Sequence, residues 1–242
     1  MIFSTEDRER LTAPLKKADD VFACRIRSMA SFCMGKPETI FYTDGINCAL
    51  YVENGNAVVW ISRIAPRRTS EDICALLSVT ARSIRSNRPL LLRRYVQSRG
   101  FIFSGNAAPS FAPEVTEDLR ACADIWQSVF PAEFSGESGD VRYADCSHAI
   151  RHGMSRVFCI KGEAAMLAFC TDAGYVVADQ MAVVPWSRGS GYAGKLLSHA
   201  AAVLRPEKGF WFESRDEKSD RFYEKYRFRR AGEWYAYTRA ED

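Results

Sequence analysis

Met181-Ala-Val-Val-Pro-Trp-Ser-Arg-Gly-Ser-Gly-Tyr-Ala-Gly194 reads as a strand that stops at Pro185, a turn of small residues, and the start of a helix. Such a turn offers several backbone N–H groups to one anion, at the positive end of the helix dipole. Glycines at 189 and 191 let the main chain approach a ligand with no Cβ in the way. Arg188 adds a fixed positive charge suited to phosphate. Upstream, Tyr175–Val183 has strand composition. Downstream, Tyr192, Leu196, Leu197, Ala200, Val203 and Leu204 mark one face of a helix that ends at Pro206.

Around this segment the second half of the chain reads as alternating elements. A helix is expected over 117–130, capped by Thr116, with Leu119, Cys122, Ile125, Trp126, Val129 and Phe130 as its apolar face. Ser135–Gly139 reads as a loop. A short helix follows from Cys146 to His152, capped by Asp145 and ended by Gly153. Strands are expected at Arg156–Lys161, Ala164–Thr171 and Phe210–Ser214, a short helix at Ser219–Tyr226, and a last strand or hairpin at Phe228–Arg239. The order is β-α-α-β-β-β-α-β-α-β.

The first half carries a fainter copy. Glu38–Thr43, Asn47–Val52 and Ala57–Ile64 read as strands joined at Asp44-Gly45 and Asn54-Gly55. A helix is expected over Ser70–Ser86, with Thr69 and Asp72 as its capping box, and a strand at Leu90–Leu92. Tyr95-Val-Gln-Ser-Arg-Gly-Phe101 parallels the later Tyr223–Phe228. Where the second copy has Arg-Gly-Ser-Gly, the first has Arg67-Arg68-Thr69-Ser70, without glycine, so it is expected to have lost ligand binding. Ser104–Pro113, rich in small residues and proline, separates a first module over 1–108 from a second over 114–242.

Composition narrows the class. The chain has 242 residues, 47% hydrophobic and 26% charged, with a net charge of +3. That is ordinary for a globular protein and too weakly basic to argue for nucleic acid. No apolar run approaches a membrane span, and no export signal is evident, so a cytoplasmic protein without membrane partners is expected. The eight cysteines are scattered among apolar neighbours and form no C-x-x-C, which reads as free buried thiols.

The second half resembles the GCN5-related N-acetyltransferase (GNAT) superfamily. The matching residues are Ala182-Val-Val-Pro185, Arg188-Gly-Ser-Gly-Tyr-Ala193 and Phe222-Tyr-Glu-Lys-Tyr-Arg-Phe228, with Glu213 on the preceding strand. The resemblance implies an α/β (α+β) fold with a mixed, mostly antiparallel sheet flanked by helices, here in tandem with a degenerate first module. It implies acetyl-CoA as donor, held by Met181, Ala182 and Val183 along the strand and by Arg188, Gly189, Ser190, Gly191, Tyr192, Ala193 and Gly194 at the turn. Asp216, Ser219 and Arg227 depart from the family's asparagine, alanine and glycine. Arg227 in place of glycine suggests a different helix end.

Acyl transfer from a thioester to an amine needs a neutral amine, a donor for the oxyanion and a proton for the departing thiolate. By resemblance Tyr223 is the proton donor, with Tyr226 the nearby competitor at a position the family leaves variable. Asp179 and Glu213 are the alternative general bases. A backbone N–H near Val183 is the expected oxyanion donor. His148 and His152, with Asp145 on the same helix face, are expected to meet the acceptor, a small amine or a peptide, and no metal is expected. The arginines at 82, 85, 88, 93, 94 and 99 read as a solvated face, which disfavours nucleic acid as a partner. Two other functions remain open on the same fold: a non-catalytic acyl-CoA-binding module and an aminoacyl-type transferase. Acceptor identity and oligomeric state are not encoded in any motif.

Overall fold

The computed structural model describes residues 1–240, apart from the side chains of residues 137 and 138. The first half contains strand β1 (Phe3–Ser4), helices α1 (Arg8–Thr12) and α2 (Val21–Cys33), strands β2 (Thr39–Thr43), β3 (Cys48–Glu53) and β4 (Asn56–Ile61), helix α3 (Arg67–Thr80), and strands β5 (Ser83–Ser86) and β6 (Tyr95–Gly105). The second half contains β7 (Val115–Thr116), α4 (Leu119–Val129), α5 (Pro131–Phe134), α6 (Gly136–Arg151), β8 (Ser155–Ile160), β9 (Ala164–Cys170), β10 (Tyr175–Val183), α7 (Tyr192–Leu204), β11 (Gly209–Glu213), α8 (Glu217–Lys225) and β12 (Arg229–Arg239). Both halves share the β-β-β-α-β run read from the sequence; before it the first half has a strand and two helices, and the second half a strand and three.

The chain forms two compact units that do not divide where the sequence suggests. The first holds Met1–Ile102 together with Ser214–Glu217 and the chain from Arg230 onward. The second holds Phe103–Glu213 and Lys218–Arg229. The expected 114–242 module therefore lacks its last strand, which lies with the first unit. There β12 pairs antiparallel with β5, Tyr235 opposite Ser86 and Tyr237 opposite Ile84. The Tyr237 hydroxyl accepts from the Leu90 amide at 2.6 Å. Local pattern cannot reveal such a pairing, because a strand's partner depends on contacts distant in sequence.

In the first unit β1, β2, β3 and β4 pair antiparallel in succession and β5 joins β4 in parallel. Leu50, Val52, Val59 and Ile61 of the sheet bury against Ile73 and Leu77 of α3, with Ile84, Tyr235 and Tyr237 completing the core. Asp20 caps α2 by accepting from the amides of Phe22 and Ala23, and accepts from Trp60 Nε1 at 2.7 Å. Burial raises the Asp20 carboxyl above the usual range, against the pull of those hydrogen bonds.

Several local expectations are corrected here. The helix α3 begins at Arg67 after Pro66, without a side-chain cap. The Asp72 carboxylate instead lies 3.4 Å from the N-terminal amine. The strand lies at Ser83–Ser86, while Leu90–Leu92 is irregular, and Tyr95–Phe101 is extended, not helical.

In the second unit β7, β8, β9 and β10 pair antiparallel in succession, and β11 joins β10 in parallel. The amphipathic α4 buries Cys122, Ile125 and Trp126 against Val157, Cys159, Ala165 and Ala182. Its cap is Asp118, whose carboxylate accepts from the Ala121 amide at 3.1 Å; Thr116 belongs to β7. The expected loop at Ser135–Gly139 is mostly the first turn of α6, so Asp145 sits inside a helix and does not cap one.

The end of α8 also differs from expectation. Arg227 takes the left-handed conformation, φ +63°, that glycine would favour. The Phe228 amide donates to Tyr223 O at 3.0 Å and the Arg227 amide to Glu224 O at 2.9 Å. This is a Schellman end, with Phe228 packed near Tyr223. The helix end is kept although its usual residue is not. Replacing Arg227 by Gly is expected to raise unfolding stability by about 0.5–1 kcal/mol, read by denaturant titration, because an L side chain resists this conformation.

Candidate ligand-binding and active site

The junction between β10 and α7 is built by three local events. First, β10 loses its parallel partner. Registered pairs with β11 run from Tyr175↔Gly209 to Ala178↔Phe212 and stop there, while β10 continues to Val183. Asp179 and Glu213 each follow directly on that last pair, so both carboxylates start where the two strands part. Both side chains are half-buried.

Second, β10 bulges. Its register with β9 shifts between Asp179 and Ala182, and Gln180 has φ +47°. Trp126 Nε1 holds the bulge by donating to Gln180 O at 2.7 Å. A bulge re-aims the residues that follow it. Beyond it, Ala182 and Val183 pair with Ala165 and Ala164, and the Val184 amide donates to Glu163 O at 3.0 Å. Amides alternate along an extended strand, so the Val183 N–H lies on the opposite edge, the one β11 has left.

Third, the chain makes a short 3-10 turn at Pro185–Ser187 and enters α7 through two left-handed glycines, Gly189 at φ +87° and Gly191 at φ +82°. A Cβ at either would meet no atom within 4 Å, so the space in front of both is clear. Gly191 is the N-cap and supplies no side-chain cap, which leaves the amides of Tyr192, Ala193 and Gly194 without a side-chain acceptor. Ser190 and Arg188 are exposed, and Arg188 Nε lies 3.4 Å from Val183 O. The turn is anchored from below: the Ser187 hydroxyl bonds Glu163, and the Ser187 amide donates to Val184 O at 3.0 Å.

Tyr223 of α8 is buried, 6% exposed, inside a set of aromatic rings. Its ring stacks on Phe212 at 4.7 Å and contacts Phe103 at 5.3 Å and Phe222 at 5.4 Å. Phe212 is the residue before Glu213, so the Tyr223 ring stands beside the point where β10 and β11 separate. His148 and His152 lie on exposed turns at the end of α6, their ring centroids 4.3 Å apart. No group of three or more His, Cys, Asp or Glu among the described residues is arranged to hold a metal ion.

The cysteines are free, and six of the eight are buried. Burial pushes the Cys48 thiol up to about 12 and the Cys146 thiol up to about 11. Cys159 is pulled the other way by hydrogen bonds from Cys122 and Thr116, but it is fully buried in the core. No helix among the described residues is long and apolar enough to cross a membrane.

The gap, the bulge and the turn follow one another along the chain between Ala178 and Tyr192. The turn was legible from its glycines. The bulge at Gln180 carries no sequence signal, since neither glycine nor proline marks it.

Neither protein-family models nor curated proteins match the chain. Solved structures do. A tandem GNAT protein from the clavulanic acid biosynthesis pathway, solved without AcCoA, is 12% identical with a TM-score of 0.57, over 98% of this chain and 97% of that one. A GCN5-related N-acetyltransferase from Sphaerobacter thermophilus is 14% identical with a TM-score of 0.56, over 100% and 97%. An acetyltransferase from the GNAT family of Colwellia psychrerythraea is 12% identical with a TM-score of 0.53, over the full length of both. At such identities it is the fold that is shared, and both halves share it: the chain has the fold of the GCN5-related N-acetyltransferases, in the tandem arrangement.

Proposed function

We propose that the chain is an acyl-CoA-dependent N-acyltransferase that moves acetyl from acetyl-CoA to a primary amine by direct attack. The observation that carries this reading is the parting of β10 from β11 after Ala178, together with the uncapped, glycine-lined start of α7 into which β10 leads. The two features suit the two ends of one ligand. The amides of Tyr192–Gly194 and the Arg188 guanidinium bind the diphosphate. The free edge at Met181–Val183 pairs with the amide-bearing arm as if it were another strand.

The chain's own groups then divide the chemistry. The Val183 N–H, on the edge that β11 leaves, donates to the carbonyl oxygen as negative charge develops there. Asp179 or Glu213 takes the proton from the attacking amine, directly or through water. Tyr223 gives a proton to the departing thiolate. A thiol near pKa ~8.5 leaves more readily with such a donor at neutral pH. His148 and His152 meet the acceptor. The first unit, which has no glycine at its corresponding turn, serves packing.

The test is thiol release from acetyl-CoA across a panel of primary amines, with Arg188→Glu as control. Amine-dependent release that falls at least about tenfold in the control is expected, since one charge-assisted phosphate contact is replaced by repulsion. Binding of CoA with no release on any amine would instead describe a ligand-sensing module.

A further inference from the structure

Tyr226 lies one turn beyond Tyr223, and its hydroxyl rests on the ligand-binding helix. The oxygen stands 2.1 Å from the place where a Cβ on Gly194 would be, with Cζ at 2.8 Å and Cε1 at 2.9 Å. Gly194 is buried in the first turn of α7 and is kept side-chain-free by this ring. Phe222 steadies the ring, with centroids 4.8 Å apart. Tyr226 is half-buried, and its hydroxyl makes no hydrogen bond among the described residues. It lies against Gly194, in the first turn of α7, whose amides have no side-chain acceptor.

We infer that Tyr226 grips the phosphate-bearing end of the ligand, its hydroxyl donating to a phosphate oxygen held by the α7 amides, and that Gly194 exists to admit it. The inference rests on the acyl-CoA reading. It assigns Tyr226 to binding and leaves the proton donor at Tyr223. A hydroxyl donating to an anionic oxygen adds a charge-assisted contact to those of the backbone, and such bonds are roughly twice as strong as neutral ones.

The experiment is calorimetric titration of wild type, Tyr226→Phe and Gly194→Ala with CoA, alongside melting curves of each protein without ligand. Tyr226→Phe keeps the ring and removes only the oxygen. It is expected to weaken CoA about tenfold with an unchanged ligand-free melting temperature. Gly194→Ala displaces the ring and is expected to weaken CoA at least as much. Tyr226→Phe affinity within twofold of wild type would overturn the inference. So would a loss matched by a lower ligand-free melting temperature, which would make the ring a packing element only. Wild type that binds no CoA would remove the acyl-CoA reading itself, a result distinct from either.

Discussion

Gly191→Val is expected to abolish CoA binding while the chain remains folded. Gly191 holds the left-handed conformation at the N-cap of α7, and a Cβ there would touch no protein atom within 4 Å. The substitution therefore does not collide with the protein. It costs backbone strain of about 1–2 kcal/mol, seen as a modest fall in melting temperature. The new isopropyl group projects into the space through which a diphosphate reaches the amides of Tyr192–Gly194. With that approach blocked, affinity should fall more than about 100-fold, read by calorimetry. A variant that keeps CoA affinity within threefold would show that the ligand does not use this turn.

Tyr223→Phe is expected to lower kcat by about 100-fold or more and to leave CoA affinity unchanged. Loss of a general acid typically costs this much. The aromatic ring itself is retained, so its stacking on Phe212 and contacts with Phe103 and Phe222 persist. Raising the pH should narrow the difference, because above ~8.5 a thiolate leaves without a donor. A variant with wild-type kcat would reduce Tyr223 to a packing residue and move the proton donor elsewhere. The pairing of the two results is informative: Gly191→Val tests holding the ligand, and Tyr223→Phe tests acting on it.

The parts of the fold that were legible in the sequence are those written in local residues. The stop at Pro185, the glycines at 189 and 191 and the apolar face from Tyr192 to Leu204 placed β10, the turn and α7 at their observed positions. The hairpins at Gly45 and Gly55 were equally local. Errors arose where tertiary contacts outweigh local preference. Ser-Gly-Glu-Ser-Gly139 looks like a loop, yet its backbone joins a 16-residue helix whose later turns pack Cys146 and Ile150 on the core. The Tyr95–Phe101 segment has the residues of the later helix but is drawn out as a strand. The destination of β12 is set by β5, some 150 residues earlier, and no periodicity records it.

The candidate site divides the same way. The turn residues from Arg188 to Gly194 were readable because glycine and arginine announce themselves. The edge that presents Val183 was readable only through the family resemblance, since it depends on where β11 ends and on a bulge at Gln180. Tyr226 meeting Gly194 joins residues 32 positions apart, and their contact exists only once α8 is laid against α7.

The most direct test is titration of CoA into the intact wild-type chain by calorimetry, with a parallel thermal-shift measurement. Saturable binding at one site per chain is the predicted result, because among the described residues only the second unit has the glycine-lined turn, and a rise in melting temperature should accompany saturation. Absence of both heat and thermal protection at saturating CoA would contradict the claim that the main-chain amides after Pro185 receive a diphosphate.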